Sequence, residues 1–487
     1  MSLVTEASKG ILWVAVERFG QQIIQAVMFI ILARLLTPED FGLVGMLMLF
    51  FAISQTFVDS GLGHALIRER KITDQARATV FWFNLLLSVV FYILLFFAAP
   101  TIAEFYEQPE LVDLTRVMGL SILFFGLAII QRSEMSQQLE FRKQAYAQVP
   151  AMLIAGTTSI IMAYIGFGVW ALVAQYVLLA FYSCIFLWLL HPVRISMEWS
   201  RKSFTKLFGF GYKLLLSGLL RSTFQNIYYL IIGKFFSVSI VGFYTQAQNI
   251  QRLVSQNLVG IIQKVTYPLL SKVKENPERL KRGYRKVIQT SSFIIFPGMI
   301  LLILLAEPII ILLLGEQWSP AVPILQILCF SGMFFHIHAI NLNILKVLGR
   351  SDIFLKMMIS KKVIITFAII VGLQFDIYGL LIVQGIASFV ALLFTIYFTS
   401  NLLNYSFKEQ AEDVFKVLLL SFPMVIALGL VLYVFPANSL LLLVLYITGS
   451  GVFYLGGNYL YRSDAVNIVI RLSTPYMHVK LKNLLHL

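Results

Sequence analysis

The sequence predicts an all-α polytopic membrane protein of about fourteen transmembrane helices: two six-helix lobes related by a parallel repeat, plus two C-terminal helices. Three observations carry this reading. Of the 487 residues, 59% are hydrophobic and only 13% charged, and a soluble domain of this length would need far more polar surface to cover its core. Apolar runs of about twenty residues recur from end to end, the length an α-helix needs to cross about 30 Å of hydrocarbon. The charged residues between those runs alternate in sign from one loop to the next.

The spans fall at roughly 11–33, 41–61, 79–99, 114–131, 146–165, 168–190, 208–232, 242–263, 287–306, 322–345, 357–374, 378–399, 414–434 and 438–460. The stretch 101–113 reads as an interfacial segment. Met1 to Gly10 holds one cation, Lys9, and no small-residue cleavage site follows, so the first span is expected to be retained. Of the 38 Lys and Arg, 30 fall in the loops after even-numbered spans and in the C-terminal tail, Lys361 and Lys362 being counted with the loop cations and Glu69 being expected to be exposed. The loops after odd-numbered spans hold only Arg34, Arg116 and Lys234, with nine acids that include Glu104, Glu107, Glu316 and Asp376. By the positive-inside rule the even loops and both termini are cytoplasmic. The net charge of +14 is then a topology signal, and no nucleic-acid partner is needed to explain it. Cys184 and Cys329 lie within apolar stretches, so neither a disulfide framework nor a metal cluster is suggested.

A shift of 200 residues lays the first span on the seventh. Phe29-Ile-Ile-Leu-Ala-Arg34-Leu-Leu-Thr37…Phe41-Gly42 overlies Tyr229-Leu-Ile-Ile-Gly-Lys234-Phe-Phe-Ser237…Val241-Gly242, matching a cation, a hydroxyl and a glycine without gaps. Two six-span lobes, 1–200 and 201–400, follow, with 401–487 holding two additional helices and a tail. An even number of spans per lobe makes the repeats parallel, and transporters built from repeats place substrate near the midplane between them.

Ionisable side chains at a helix centre cost about 2.5–3.5 kcal/mol each on insertion scales, so they face protein or water. In the first span Glu17, Gln21 and Gln25 form one stripe, with Arg18 and Gln22 beside it. In the seventh, Lys213, Ser217, Arg221 and Gln225 form another, with Asn226 and Tyr228 adjacent, and positions 17, 21 and 25 map onto 217, 221 and 225. Gln246, Gln248, Asn249, Gln251, Arg252, Ser255, Gln256 and Asn257 make the eighth span polar on more than one face. The tenth carries His336, His338, Asn341 and Asn343. Such residues also serve as interhelical hydrogen-bonding groups. The matched stripes instead predict a hydrated cavity lined by Glu17, Arg18, Gln21, Gln25, Lys213, Arg221, Gln225, Asn226, Gln248, Arg252 and Asn341. Glu17, His336 and His338 are the candidates for proton or ion coupling. The two histidines are two apart on a helix, poor spacing for a shared metal, and no cofactor or catalytic constellation is indicated. Deep cations outnumber acids, which suits an anionic passenger.

Several short stretches, in order along the chain, carry a family resemblance. They are Leu32-Ala-Arg-Leu-Leu-Thr-Pro-Glu-Asp-Phe-Gly42, Asp59-Ser-Gly-Leu-Gly-His-Ala-Leu-Ile-Arg68, Gly166-Phe-Gly-Val-Trp-Ala-Leu172, Tyr267-Pro-Leu-Leu-Ser271, Asn276-Pro-Glu-Arg-Leu280, Gly315-Glu-Gln-Trp-Ser-Pro320 and Leu348-Gly-Arg-Ser-Asp352. With them the chain resembles the polysaccharide-exporter branch of the MOP (multidrug/oligosaccharidyl-lipid/polysaccharide) superfamily, close to the colanic-acid and teichuronic-acid exporters. The resemblance implies flipping of undecaprenyl-diphosphate-linked saccharide units across the cytoplasmic membrane by alternating access. It implies a lipid-linked oligosaccharide and membrane lipids as partners, with polysaccharide polymerase and chain-length machinery as candidate protein partners. It also places charged residues in the first helix and a cavity arginine in the eighth, where Glu17-Arg18 and Arg252 stand.

A drug or cation antiporter of the same superfamily would require acidic rather than basic cavity residues. A membrane-embedded polymerase or glycosyltransferase would need a sizeable outer loop with a catalytic constellation. Glu104 and Glu107 sit in an amphipathic stretch without such a motif.

Overall fold

A computed structural model describes residues 20–69 and 72–460, and the regular structure among them is helical. The chain divides into two compact units between Thr245 and Gln246. Among the described residues ten helical segments are long and apolar enough to cross a membrane. The remaining predicted spans fall on α1 (Gly20–Leu35), α9 (Arg201–Phe235), α10 (Val238–Lys272) and α15 (Ser351–Gly372). Amide and charged side chains interrupt the apolar run in each of these, and α1 is described only from Gly20.

In the first unit α2 (Pro38–Asp59) begins with a capping box. Thr37 accepts from the Asp40 amide, the Asp40 carboxylate accepts from the Thr37 amide at 2.8 Å, and Pro38 fills the first turn where an N–H would have no partner. It ends at Ser60 and Gly61, both left-handed with φ of 48° and 67°, and the chain resumes as α3 (Leu62–Arg68). Gly61 is required twice over. Its φ disfavours a side chain, and a Cβ there would lie 2.3 Å from the Gly211 carbonyl oxygen of α9.

The long α4 (Asp74–Tyr106) contains Pro100 and runs through 101–106, so the stretch expected to lie at the interface is in part helix. A proline costs one backbone bond, which a helix packed on neighbours tolerates. Helices α5 (Leu111–Leu127) and α6 (Ile129–Gln137) share one predicted span, broken at Ala128. Helices α7 (Phe141–Tyr164) and α8 (Val169–Leu190) pair through a turn in which Gly166 and Gly168 are left-handed, and Ser159 Oγ donates to the Ala171 carbonyl at 2.7 Å.

The second unit is built around α11 (Pro277–Leu304), capped by Asn276, followed by the short α12 (Ala306–Leu314) and a 3₁₀ turn that buries Trp318 completely. One predicted span is split into α13 (Ala321–Gly332) and α14 (Phe335–Val347). Next come α15 and α16 (Ile377–Leu403). The thirteenth span is also divided, into the amphipathic α17 (Phe407–Leu419) and α18 (Phe422–Val434), before the last helix α19 (Leu440–Leu460). Helix α17 is clasped to α11 by charge: Arg285 meets the buried Asp413 at 2.5 Å, Asp413 also accepts from the Tyr405 hydroxyl, and Lys281 bonds Glu409 at 3.2 Å. Tyr454 of α19 donates to the Phe293 carbonyl of α11 at 3.1 Å.

Candidate substrate-recognition site

The seventh predicted span becomes the 35-residue α9, capped where Ser200 accepts from the Ser203 amide. One face is cut for close packing. Gly211 lies on the Ser60–Leu62 turn, Gly218 on Thr56, and Gly233 on Met46 and Tyr106. Small residues let membrane helices approach backbone to backbone. The flank beside that face carries the predicted stripe, Gln225 lying two turns from Gly218. Lys213, Ser217, Arg221 and Gln225 are exposed, and Asn226, at the edge, is half-buried and donates to the Ser222 carbonyl at 2.8 Å. A helix of such length exposing two cations two turns apart, in a chain this apolar, presents a surface for water or an anion rather than for lipid.

Arg221 is in electrostatic contact with Asp59, which closes α2, and the Asp59 carboxylate lies 3.9 Å from His64 Nε2 on α3. Asp59 and His64 belong to a stretch quoted above only for its family pattern; the kink at Ser60–Gly61 brings them to α9. Arg68 lies 4.8 Å over the Phe210 ring and Lys206 bonds Glu69 at 2.6 Å, so Glu69 is paired and half-buried where an exposed acid was expected. On α1, Gln21 is half-buried and Gln25 exposed, whereas Glu17 and Arg18 lie outside the described residues.

A second group in this unit went unnoticed in the sequence. Glu134 of α6, 3% exposed, is met at 2.5 Å by Arg77 Nε from α4 and at 3.0 Å by His191 Nε2. Arg77 also pairs with Asp74. Its members are 57 residues apart on either side of Glu134, and no local pattern announces it.

The two cap regions matched by the offset of 200 cross each other. Helices α2 and α10 begin at Pro38 and Val238, and Ser237 caps α10 at the Ile240 amide as Thr37 caps α2. A Cβ on Gly42 would lie 2.0 Å from the Val238 carbonyl oxygen, and one on Gly242 would lie 1.9 Å from that of Pro38. Beside the crossing, Ser239 bonds Glu39 at 3.1 Å and Lys234 bonds Glu107 at 2.9 Å, along a cleft of about 530 Å³.

In the second unit, Gln248 and Gln251 of α10 are buried and Arg252 is half-buried, with the Gln251 amide packed against Gly332. The two histidines of α14 differ. Both ring nitrogens of His336 are engaged, with Ser292 Oγ at 2.8 Å and the Met333 carbonyl at 2.9 Å, and Phe296 meets the ring edge-on. His338 Nδ1 is buried without a hydrogen-bond partner. Asn341 is fully buried, accepting from the Tyr284 hydroxyl and facing Thr395 Oγ1 at 3.5 Å. Among the described residues no three His, Cys, Asp or Glu side chains gather where they could hold a metal ion.

Comparison with known proteins sets this arrangement among relatives. The model of a family described as "Polysaccharide biosynthesis protein" matches residues 31–323. The chain belongs to this family. It is 26% identical over 357 residues to the teichuronic acid biosynthesis protein TuaB of Bacillus subtilis, covering 72% of this chain and 73% of that one. It is 24% identical over 442 residues to the lipopolysaccharide biosynthesis protein WzxC of Escherichia coli, covering 89% of each. Among solved structures, the lipid II flippase MurJ in an inward closed conformation superposes with a TM-score of 0.76 at 16% identity, over 93% of this chain and 99% of that one. An inward-facing multidrug MATE transporter of the MOP superfamily superposes at 0.61, with 17% identity, over 82% of this chain and 99% of that one. The fold is therefore the one that these two proteins share.

Proposed function

We propose that this protein is a flippase of the bacterial cytoplasmic membrane that moves undecaprenyl-diphosphate-linked saccharide units across the bilayer by alternating access, for surface polysaccharide assembly. The observation that carries the reading is the exposed basic stripe of α9, Lys213 and Arg221, on the flank beside a glycine-lined packing face. A pyrophosphate-bearing headgroup requires cations held in water-accessible protein surface at membrane depth. Membership of the polysaccharide biosynthesis family and the names of the relatives agree with this passenger. Arg221 and Arg252 are assigned to headgroup recognition, one in each unit, with Gln25, Lys213 and Gln225 beside the former. Glu17, Arg18 and Gln21 extend the surface on the first helix. The lobes 1–200 and 201–400 with an appended pair at 401–487, and cytoplasmic termini, complete the proposal. A drug antiporter is disfavoured because the exposed intramembrane charges of α9 are cations.

The test is deletion in the native host, with analysis of undecaprenyl-linked oligosaccharides on each membrane face. Accumulation on the cytoplasmic face, relieved by the wild-type chain and not by Arg221→Ala or Arg252→Ala made to equal abundance, is the expected result. Wild-type export by both variants would remove the assignment of these arginines, and no accumulation on deletion would remove the function.

A further inference from the structure

The helix α15 holds a feature that hydropathy hides. It is 22 residues long, about 33 Å, and Lys361 is its eleventh residue, halfway along. The faces of the helix are well separated. Leu355, Ile359, Val363, Phe367 and Ile370 are exposed along one side, the side suited to lipid. Met357, Ala368 and Ile369 are buried on the other. Lys361 stands one turn from Met357 and two from Ala368, so it shares the buried face. Lys362 follows at its edge, and both lysines are half-buried.

Helix α15 packs on α14 and α16 within the second unit. Across from it stands His338 of α14, 6% exposed, close enough for Lys361 and Lys362 both to act on it electrostatically. The charge that acts on Lys361 among the described residues is that of Lys362, and no carboxylate of the described residues pairs with it. Two lysines and an imidazole thus come together halfway along α15, the two cations repelling each other, while a buried nitrogen, His338 Nδ1, has no hydrogen-bond partner.

A single cation at the centre of a membrane helix costs about 2.5–3.5 kcal/mol on insertion scales. Adjacent like charges raise that cost, and a buried nitrogen without a partner adds to it. Each term reverses in sign if an anion with several acceptor oxygens binds there. Ammonium groups and an imidazole N–H are donors, and a phosphate presents acceptors alone and a charge to match.

We propose that Lys361, Lys362 and His338 form a subsite in the second unit for a phosphate group, that of the lipid-linked passenger's pyrophosphate. The assignment rests on the flippase reading above, and it adds a recognition element separate from Arg221 and Arg252. Lys361 is the central donor, His338 Nδ1 supplies a directional hydrogen bond as its Nδ1–H form, and Lys362 contributes at the edge. A phospholipid headgroup carries the same chemistry, so the test must separate the two.

The full-length protein in lipid nanodiscs is titrated with undecaprenyl diphosphate, with undecaprenol as the uncharged control and with phosphatidylglycerol as the competing phospholipid, and binding is read by native mass spectrometry. The expected result is that Lys361→Gln weakens undecaprenyl diphosphate about tenfold or more, that Lys361→Arg restores most of the loss, and that undecaprenol binding is unchanged. His338→Gln is expected to give a smaller loss of the same selectivity. Equal binding by wild type and a monodisperse Lys361→Gln variant overturns the subsite while leaving the flippase reading intact. A loss equal for phosphatidylglycerol and undecaprenyl diphosphate overturns the assignment to the passenger. Failure of the wild-type protein to bind undecaprenyl diphosphate at all overturns the flippase reading itself. Should Lys361→Gln not fold, Lys361→Arg with His338→Gln decides the matter by the same comparison.

Discussion

Arg221 is exposed on α9 and is electrostatically balanced by Asp59. A lysine would keep the charge and lose the planar fork that grips two oxygens at once. Arg221→Lys is therefore expected to transport a lipid-linked saccharide in proteoliposomes at an intermediate rate, and Arg221→Gln about tenfold more slowly than wild type. Wild-type rates for both would show that neither charge nor shape at 221 matters. Glu134 makes the opposite kind of prediction. Its carboxylate is buried between Arg77 and His191, so Glu134→Gln leaves the Arg77 guanidinium with only the exposed Asp74 as its counter-charge. A loss of about 3 kcal/mol in stability is expected, read as a lowered melting temperature in detergent with transport retained at low temperature. The test of the first-helix stripe also needs an adjusted control. Because Glu69 is bonded to Lys206, reversing it breaks an ion pair; exposed Glu412 is the better comparison for Glu17→Lys. Single residues were unevenly legible in the sequence. The period of four in Lys213, Ser217, Arg221 and Gln225 is visible in one helix turn after another. The pairing of Arg77, Glu134 and His191 depends on tertiary folding across 57 residues on each side and has no such trace.

At the scale of elements, the short stretches that resemble other polysaccharide exporters turn out to be places where helices start, stop or bend. Thr37-Pro38 and Asn276-Pro277 cap helices, Ser60-Gly61 and Gly166 are left-handed turns, and Gly349 is left-handed beside the Arg350–Asp352 ion pair. Hydropathy responds to solvent, not to φ, which is why the apolar lengths were legible while the breaks at Ser60, Ala128, Met333 and Leu420 were not. Lys361 and Lys362, counted with the loop cations, fall inside a helix for a related reason. A charge tally credits any lysine near a helix end to the loop, and α15 begins at Ser351, earlier than its apolar run. The element scale also supports a prediction at the glycine crossing. Gly42→Ala places a methyl 2.0 Å from a backbone carbonyl that has no rotamer to yield, so α2 and α10 must separate. Loss of folded protein by fluorescence-detected size exclusion is expected for Gly42→Ala and for Gly242→Ala alike, whereas Gly209→Ala, which meets nothing within 4 Å, should be silent. Tolerance at both crossing positions would refute the close approach. For α17, Lys281→Ala with Arg285→Ala should raise deuterium uptake over 407–419, since both ion pairs to that helix are lost.

For the molecule as a whole, the proposed orientation is open to a direct check. Single cysteines at 108 and 274, in a background lacking Cys184 and Cys329, should label from outside and from inside the cell respectively with a membrane-impermeant maleimide. Labelling of both from one face would undo the assignment by loop charge. The offset of 200 was legible because a cation, a hydroxyl and a glycine recur with no gap, and in the structure the same offset relates helix ends at 35 and 235 and helix starts at 38 and 238. What the alignment alone could not convey is that the matched segments touch. Position 42 meets 238 while 242 meets 38, the reciprocal contact that defines an isologous interface between two identical subunits. A polypeptide consisting of one such repeat would present there a patch complementary to itself. The crossing has the form of a symmetric homodimer contact held within one chain, and each of its two glycines answers to a residue of the other copy.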